Sequence, residues 1–392
     1  MTNGGKAATR ALAMRFVIGI GVVSLFADFT YEGGRSIVGP FLGVLGATPF
    51  LVGAIAGVGE FLGYALRLAS GSYVDRRGHH WTVVYLGYAI NLLAVPAIAL
   101  TGALAPAAGL VFAERLGKGL RTPARDTLLA SASHEIGRGR AFGLHELLDQ
   151  IGALIGPLAV AGAVALHGYR LGFGILIVPA ILAMLFLVRA RGLEPSGERH
   201  AAPLTTRGFS PTYWRYLAFA ALAVMGFAHF ALIAFRFAAD NVVAPATIPL
   251  LFALAMGVDA AAAYLVGRLY DRYGLRVVAA LPLLTLPSAP LLFLTHGTLM
   301  LAAGAATWGA ALGLQESLMR AAVADLTPPE RRGTAYGLFD TAFGAAWMLG
   351  SLAMGGLYQI APAYLVAFSI LIELASLALL ARVLRVAPRA GA

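Results

Sequence analysis

The sequence predicts an all-α membrane protein, with twelve transmembrane helices in two pseudo-symmetric six-helix bundles. Three observations carry this expectation: a composition too apolar for water, basic residues confined to alternate helix ends, and an internal repeat. Of 392 residues, 59% are hydrophobic and only 12% charged, where a soluble domain has roughly 25% charged. Mean hydropathy is +0.79. Apolar runs recur that are long enough to cross a bilayer, which takes about 20 helical residues. The net charge of +10 alone would admit a nucleic-acid binder, but the basic residues sit where membrane topology requires them, so no nucleic acid is expected. The absence of cysteine removes disulfides, thiol catalysis and thiolate metal sites. No phosphate-binding loop or nucleotide domain is present, so neither ATP driving nor a cofactor is expected, and the chain does not read as an enzyme.

Helix 1, at 13–43, is apolar at both ends yet carries Asp28, Glu32 and Arg35, spaced so that they share one face. It is too long and too charged for a cleavable signal peptide and reads as a retained span. Ionisable groups at membrane depth mark substrate or ion pathways. Asp28 is nearest mid-membrane and is the first candidate for proton coupling, together with Glu32; Glu32 and Arg35 at i, i+3 also fit a structural pair. Helix 2, at 48–70, carries Glu60 and Arg67 and ends in Gly71-Ser-Tyr-Val-Asp75-Arg76-Arg77-Gly78. Helix 3, at 81–101, is uncharged. Helix 4, at 105–131, carries Glu114, Arg115, Lys118, Arg121 and, at its cytoplasmic end, Asp126. Arg115 requires an anionic partner, sought among Asp28, Glu32, Glu60 and Asp149, and is expected to tune the coupling acid.

In helix 5, at 140–166, His145, Glu146 and Asp149 share a side, and Asp149, nearest mid-membrane, joins the proton-coupling candidates. Gly152 and Gly156 form a small-x-x-x-small face that permits close backbone approach, and Pro157 is expected to kink the helix. Helix 6, at 169–190, closes a first bundle over 1–190. The polar stretch 191–212 reads as a linker, and 213–392 forms the second bundle. Helix 7, at 213–239, carries His229, Phe230, Phe235 and Arg236. Helix 8, at 247–269, carries Asp259 and runs into Gly267-Arg-Leu-Tyr-Asp271-Arg272-Tyr-Gly274. Helices 9 to 12 fall at 276–295, 298–325, 334–358 and 362–384. Helix 10 has Glu316 and Arg320, which at i, i+4 would neutralise each other; helix 11 has Asp340; Glu373 in helix 12 has no sequence neighbour of opposite charge.

One set of helix ends carries Lys6, Arg10, Arg15, Arg76, Arg77, Arg138, Arg140, Arg189, Arg191, Arg199, Arg207, Arg272, Arg276, Arg331, Arg332, Arg382, Arg385 and Arg389. On the opposite side only Arg170 breaks the pattern. Both termini and the linker are therefore expected in the cytoplasm of a cell whose inner (plasma) membrane the chain crosses many times.

The halves repeat. G-x-x-x-D-R-x-G recurs at Gly71 and Gly267; Gly139, Ala141, Gly143, Leu144, Gly156 and Leu158 recur as Gly333, Ala335, Gly337, Leu338, Gly350 and Leu352. Phe26-Ala27-Asp28-Phe29 with Arg35 recurs as Phe227-Ala228-His229-Phe230 with Arg236. Such duplication characterises transporters that rock two halves about a midplane site.

With these motifs the chain resembles a major facilitator superfamily (MFS) transporter along essentially its whole length, and specifically the branch of proton-coupled drug and metabolite efflux antiporters. Gly71 to His80 fits the loop signature G-x-x-x-D-R-x-G-[RH]-[RKH], and Arg115-Leu-Gly-Lys-Gly119 is similar to the signature of helix 4. Gly152-Ala-Leu-Ile-Gly156-Pro157 resembles the antiporter signature, although its closing Gly-Gly is absent. The resemblance implies alternating access. Asp75 would approach the N-terminal end of helix 11 and Arg76 or Arg77 would pair with Asp126, latching the inner side. Gly71, Gly78, Gly152, Gly156, Pro157, Asp271 and Arg272 join these as gating residues.

The expected activity is proton-coupled antiport that exports a small molecule. Phe29, Tyr31, Arg35, Glu60, His229, Phe230 and Arg236 are the expected substrate contacts, and the bilayer, the substrate and protons the partners of a monomer. Proton-coupled uptake of an anionic nutrient is one alternative, and divalent-metal export through Asp28 and His229 another. No metal site is assigned, since a lone His in an apolar helix is more often a packing residue or proton relay.

Overall fold

The computed structural model describes residues 3–194, 208–328 and 331–386. Among the described residues the chain is helical and has no strand, as expected where a bilayer obliges every backbone polar group to be satisfied within its own segment. The helices are α1 (Asn3–Arg35), α2 (Val38–Val44), α3 (Pro49–Arg77), α4 (His80–Ala97), α5 (Leu104–Ile136), α6 (Arg138–Gly174) and α7 (Ile177–Arg191), then α8 (Pro211–Met225), α9 (Phe230–Ala239), α10 (Thr247–Tyr273), α11 (Ala280–Leu294), α12 (Thr298–Asp325), α13 (Arg332–Ile360) and α14 (Pro362–Val386). The centre of the expected linker, 195–207 with Arg199 and Arg207, lies outside the described residues, as does Arg389.

Among the described residues, seven segments are long and apolar enough to cross a membrane by length and composition alone. Two of them, Gly139–Arg191 with 53 residues and Thr247–Leu294 with 48, are each long enough for two crossings. The first of these turns at His167-Gly168, where Gly168 adopts φ 71, a conformation that only glycine takes readily. The more charged helices α5, α12 and α13 complete twelve spans.

Two spans expected as single helices are broken. Span 1 is α1 plus α2, interrupted at Ser36-Ile37. Pro40 explains the break, because its ring has no N–H and crowds the carbonyl four residues earlier, that of Ser36. Span 7 is α8 plus α9, interrupted from Gly226 to His229. Carbonyls freed there find side-chain donors: Trp308 Nε1 donates to Ala228 at 2.8 Å and Ser369 Oγ to Gly226 at 2.7 Å. Pro157, in contrast, lies inside α6 without interrupting its helical dihedrals, so the expected kink is not formed there.

By packing, the chain divides into one unit of Met1–Ile37 with Ala65–Ala201, and a second of Val38–Tyr64 with Ala202–Ala392. This boundary cuts α3, whereas the sequence reading placed a single boundary at the linker. Short residues explain the membership of 38–64: a Cβ at Gly39 would collide with the Ala231 backbone, and one at Gly57 would press on Met348 and Ser351. In the first unit α1 lies against α6, α7 and α5, over a core that includes Phe16, Val23, Tyr88, Leu128 and Leu187. Gly152 and Gly156 let α6 close on the carbonyls of Leu25 and Phe29. The repeat partner of Gly156, Gly350, closes α13 on the Met225 carbonyl at the end of α8. In both units the repeated glycine thus meets the span that opens its half.

Candidate functional site

The candidate residues gather in two clusters, one in each unit. The first is built on α1 and α5. Tyr31, 3% exposed, is its hub. Arg115 Nη1 donates to the Tyr31 hydroxyl, with its guanidinium carbon 4.9 Å from the ring centroid. Lys118 Nζ stands 3.6 Å from that centroid, and Arg35 at 6.0 Å. Cations over an aromatic face are held by its quadrupole, more firmly when desolvated. Arg35 Nη1 donates to both oxygens of Glu32, at 3.4 and 3.5 Å. The i, i+3 pair read from the sequence is therefore formed.

Arg115 pairs through Nε with Glu114 at 3.2 Å, a neighbour not among its four expected partners. Asn91 fixes Glu114 by donating to Oε1 at 2.8 Å and to its carbonyl at 3.1 Å. Asp28 is 8% exposed and has no hydrogen-bond or ion-pair partner among the described residues. It acts electrostatically on Glu32 and also on Asp149, which feels Arg125, Glu146 and Lys118 as well. Asp149 Oδ1 is buried without a hydrogen bond among the described residues. His145 is held by Ser24 at 2.8 Å. Phe29 is half-buried beside this cluster on α1.

The second cluster is built on α3, the break in span 7, and α13. His229 caps α9: its Nδ1 accepts from the Ala231 N–H at 3.1 Å. The ring proton therefore sits on Nε2, which faces Glu60 Oε1 at 3.4 Å. Trp347 tilts against the imidazole at 5.7 Å between centroids. Phe230, 1% exposed, packs into Phe252 at 4.4 Å and Trp308 at 5.4 Å, the environment of a core residue. Arg236 is taken up by the C-terminal end of α11, donating to the carbonyls of Leu292 and Thr295, with Asp240 at 3.7 Å. A cation at that helix end is favoured by the dipole.

The loop motif is exposed at Asp75, Arg76 and Gly78 and again at Asp271 and Arg272. Its closing glycines have a common cause: Gly78 adopts φ 70 and Gly274 φ 59, each ending a helix in a left-handed turn. Gly71 faces Pro123. Asp126 pairs with Arg125 at 2.8 Å, beside it in α5, a contact the sequence reading did not anticipate. Arg320 pairs with Asp340 of α13 at 3.1 Å, a contact across helices that its spacing to Glu316 did not announce. The sequence reading passed over Lys118 and Glu114 as site residues. Their signal was there, Lys118 one helical turn after Arg115 and Glu114 one residue before it.

The chain matches the family profile of the Major Facilitator Superfamily over residues 22–242 and 216–392. It is 42% identical to an uncharacterized protein of Mycobacterium tuberculosis (strain ATCC 25618 / H37Rv), over 96% of this chain and 95% of that one. It is 23% identical to an uncharacterized MFS-type transporter of Methanocaldococcus jannaschii, over 88% of each chain. Among solved structures it is similar to a bacterial homologue of the human lysosomal transporter Spinster, with a TM-score of 0.75, 17% identity and coverage of 94% of this chain and 96% of that one. It is also similar to a POT family transporter in complex with 5-aminolevulinic acid, with a TM-score of 0.76, 12% identity and coverage of 95% and 96%.

Proposed function

The chain belongs to the major facilitator superfamily and is a multi-pass secondary transporter, and on that premise we propose that it exchanges protons for a small molecule, with Asp28 as the coupling carboxylate. One observation carries the reading. In a cluster where Glu32 has Arg35 and Arg115 has Glu114, Asp28 has no hydrogen-bond or ion-pair partner among the described residues. A buried carboxylate with nothing to neutralise it is satisfied by a proton or by a cationic or donor group of a substrate, but not by both at once. That mutual exclusion is the requirement of antiport. Glu32 and Asp149, the acids on which Asp28 acts, would share its proton, and Arg115 and Lys118 would set how tightly it is held. Export follows if the substrate leaves as a proton enters down its gradient. Both termini would then face the cytoplasm, and the two G-x-x-x-D-R-x-G loops would act as inner gates.

A second reading rests on the convergence of Arg35, Arg115 and Lys118 on Tyr31, which would suit an anionic nutrient taken up with protons. Proteoliposomes carrying a pH-sensitive dye separate the two. Cationic amphiphiles, organic anions and divalent metals are added in turn under an imposed proton gradient. The antiport reading expects proton efflux from acid-loaded vesicles on addition of a cationic compound. Asp28→Asn should reduce that signal to background while substrate counterflow persists. Retention of pH-driven exchange in the variant removes Asp28 from the role, and proton influx together with an organic anion favours uptake.

A further inference from the structure

α14 carries a polar stripe that the cycle above does not use. Ser369, Glu373 and Ser376, at i, i+4 and i+7, are each 0% exposed. The stripe meets the end of α8. Ser369 Oγ donates to the Gly226 carbonyl at 2.7 Å. The Glu373 carboxyl lies so near that a Cβ on Gly226 would stand 2.6 Å from Oε1. Ser376 Oγ donates to the Glu373 carbonyl at 2.8 Å and approaches Oε2 at 3.3 Å. Oε1 has no hydrogen-bond partner among the described residues.

Among the described residues, the elements packed against it offer no charge to balance a carboxylate. α11 has no ionisable residue. The ionisable groups of α8 (Tyr213, Arg215 and Tyr216) lie in its first turns, at the far end from Gly226. In α13, Arg332, Tyr336 and Asp340 come early, Tyr358 comes in the last turn, and Gly350 is the residue at the end of α8. Asp340 is engaged by Arg320 and Tyr358 by Asp240. Arg276 lies in the short turn Gly274–Ala279 before α11. On α14 itself Tyr364 opens the helix, and Arg382 and Arg385 close it. Nor is the position favourable for a negative charge. The C-terminus of a helix presents carbonyls without in-helix donors and the negative end of its dipole. A carboxylic acid at this place supplies a donor where a carboxylate would add a like charge.

We propose that Glu373 is a second proton-binding site, held as the neutral acid against the break in span 7, and that loss of its proton loosens that break. The inference goes beyond the Asp28 reading and does not depend on it. Its test needs no substrate: the purified full-length protein in lipid nanodiscs is titrated toward alkaline pH by infrared difference spectroscopy, and its thermal midpoint is followed in parallel. The wild type should show a carbonyl stretch of a protonated carboxylic acid that Glu373→Gln lacks, and the band should vanish as pH rises. The folded protein holds a proton that the unfolded chain has released, so stability falls with rising pH across that range. The glutamine variant, which keeps a donor and cannot ionise, should lose that component of the fall. An unchanged acid band in Glu373→Gln overturns the proposal, and so does a pH–stability curve identical to wild type. Failure of this variant to fold would also count against it, because the amide reproduces the shape and donor of the acid.

Discussion

Spans 1 and 7 share a sequence pattern and differ where it matters. Both contain Phe-Ala-x-Phe, with Asp28 in the first and His229 in the second. Asp28 lies inside unbroken α1, held to α6 by Gly152 and Gly156, with its carboxylate unpartnered among the described residues. His229 lies at a break, with one ring nitrogen capping α9 and the other on Glu60. A capped break and an unpaired acid are two uses of the same repeat position. The first gives span 7 a defined joint; the second leaves a buried acid in span 1.

The same substitution should therefore be read in different measurements at the two positions. Asp28→Asn is expected to remove proton-driven transport outright while the protein still folds, whereas His229→Asn keeps a good cap and should leave thermal stability almost unchanged. Proton flux measured beside melting curves decides whether the contrast holds. Next in size are the repeat glycines. Gly156→Ala and Gly350→Ala each force a methyl onto a carbonyl of the opening span of their own unit, a cost of about 1–3 kcal/mol for overpacking. Matched losses in denaturation would show the two clamps to be equivalent, and a loss at one site only would break the symmetry. His229→Ala, which deletes the cap, should cost about 1 kcal/mol, visible as a lower midpoint than that of His229→Asn. The smallest effect is expected at the loop motif, where Gly78→Ala and Gly274→Ala strain a left-handed turn by about 1 kcal/mol each. A neutral result at either glycine would mean that the turn can relax.

Much of this was legible in the sequence. The spans, the repeat and the Glu32–Arg35 pair follow from periodicity and spacing, and so does the prominence of Asp28. The pairing of Arg115 with Glu114 was not legible, because a neighbour at i−1 points elsewhere on an ideal helix and only long side chains bring Glu114 to it. Arg236 looked like a recognition residue because it repeats Arg35. Its length instead lets it reach the carbonyl end of α11.

By itself the sequence determined that this chain crosses a membrane as helices in two related halves. Hydrocarbon leaves backbone groups no partner but their own helix, and basic residues mark the ends that stay on one side. Only the tertiary structure decided which buried charges are paired, since that depends on how each helix is rotated and how closely its neighbours approach. It also decided that Pro40 and Gly226 break their spans, where the carbonyls of Gly226 and Ala228 find donors from Ser369 and Trp308 on other helices. What the tertiary structure sharpened most is the contrast between the two repeat positions: both ring nitrogens of His229 have partners, and the Asp28 side chain has none among the described residues.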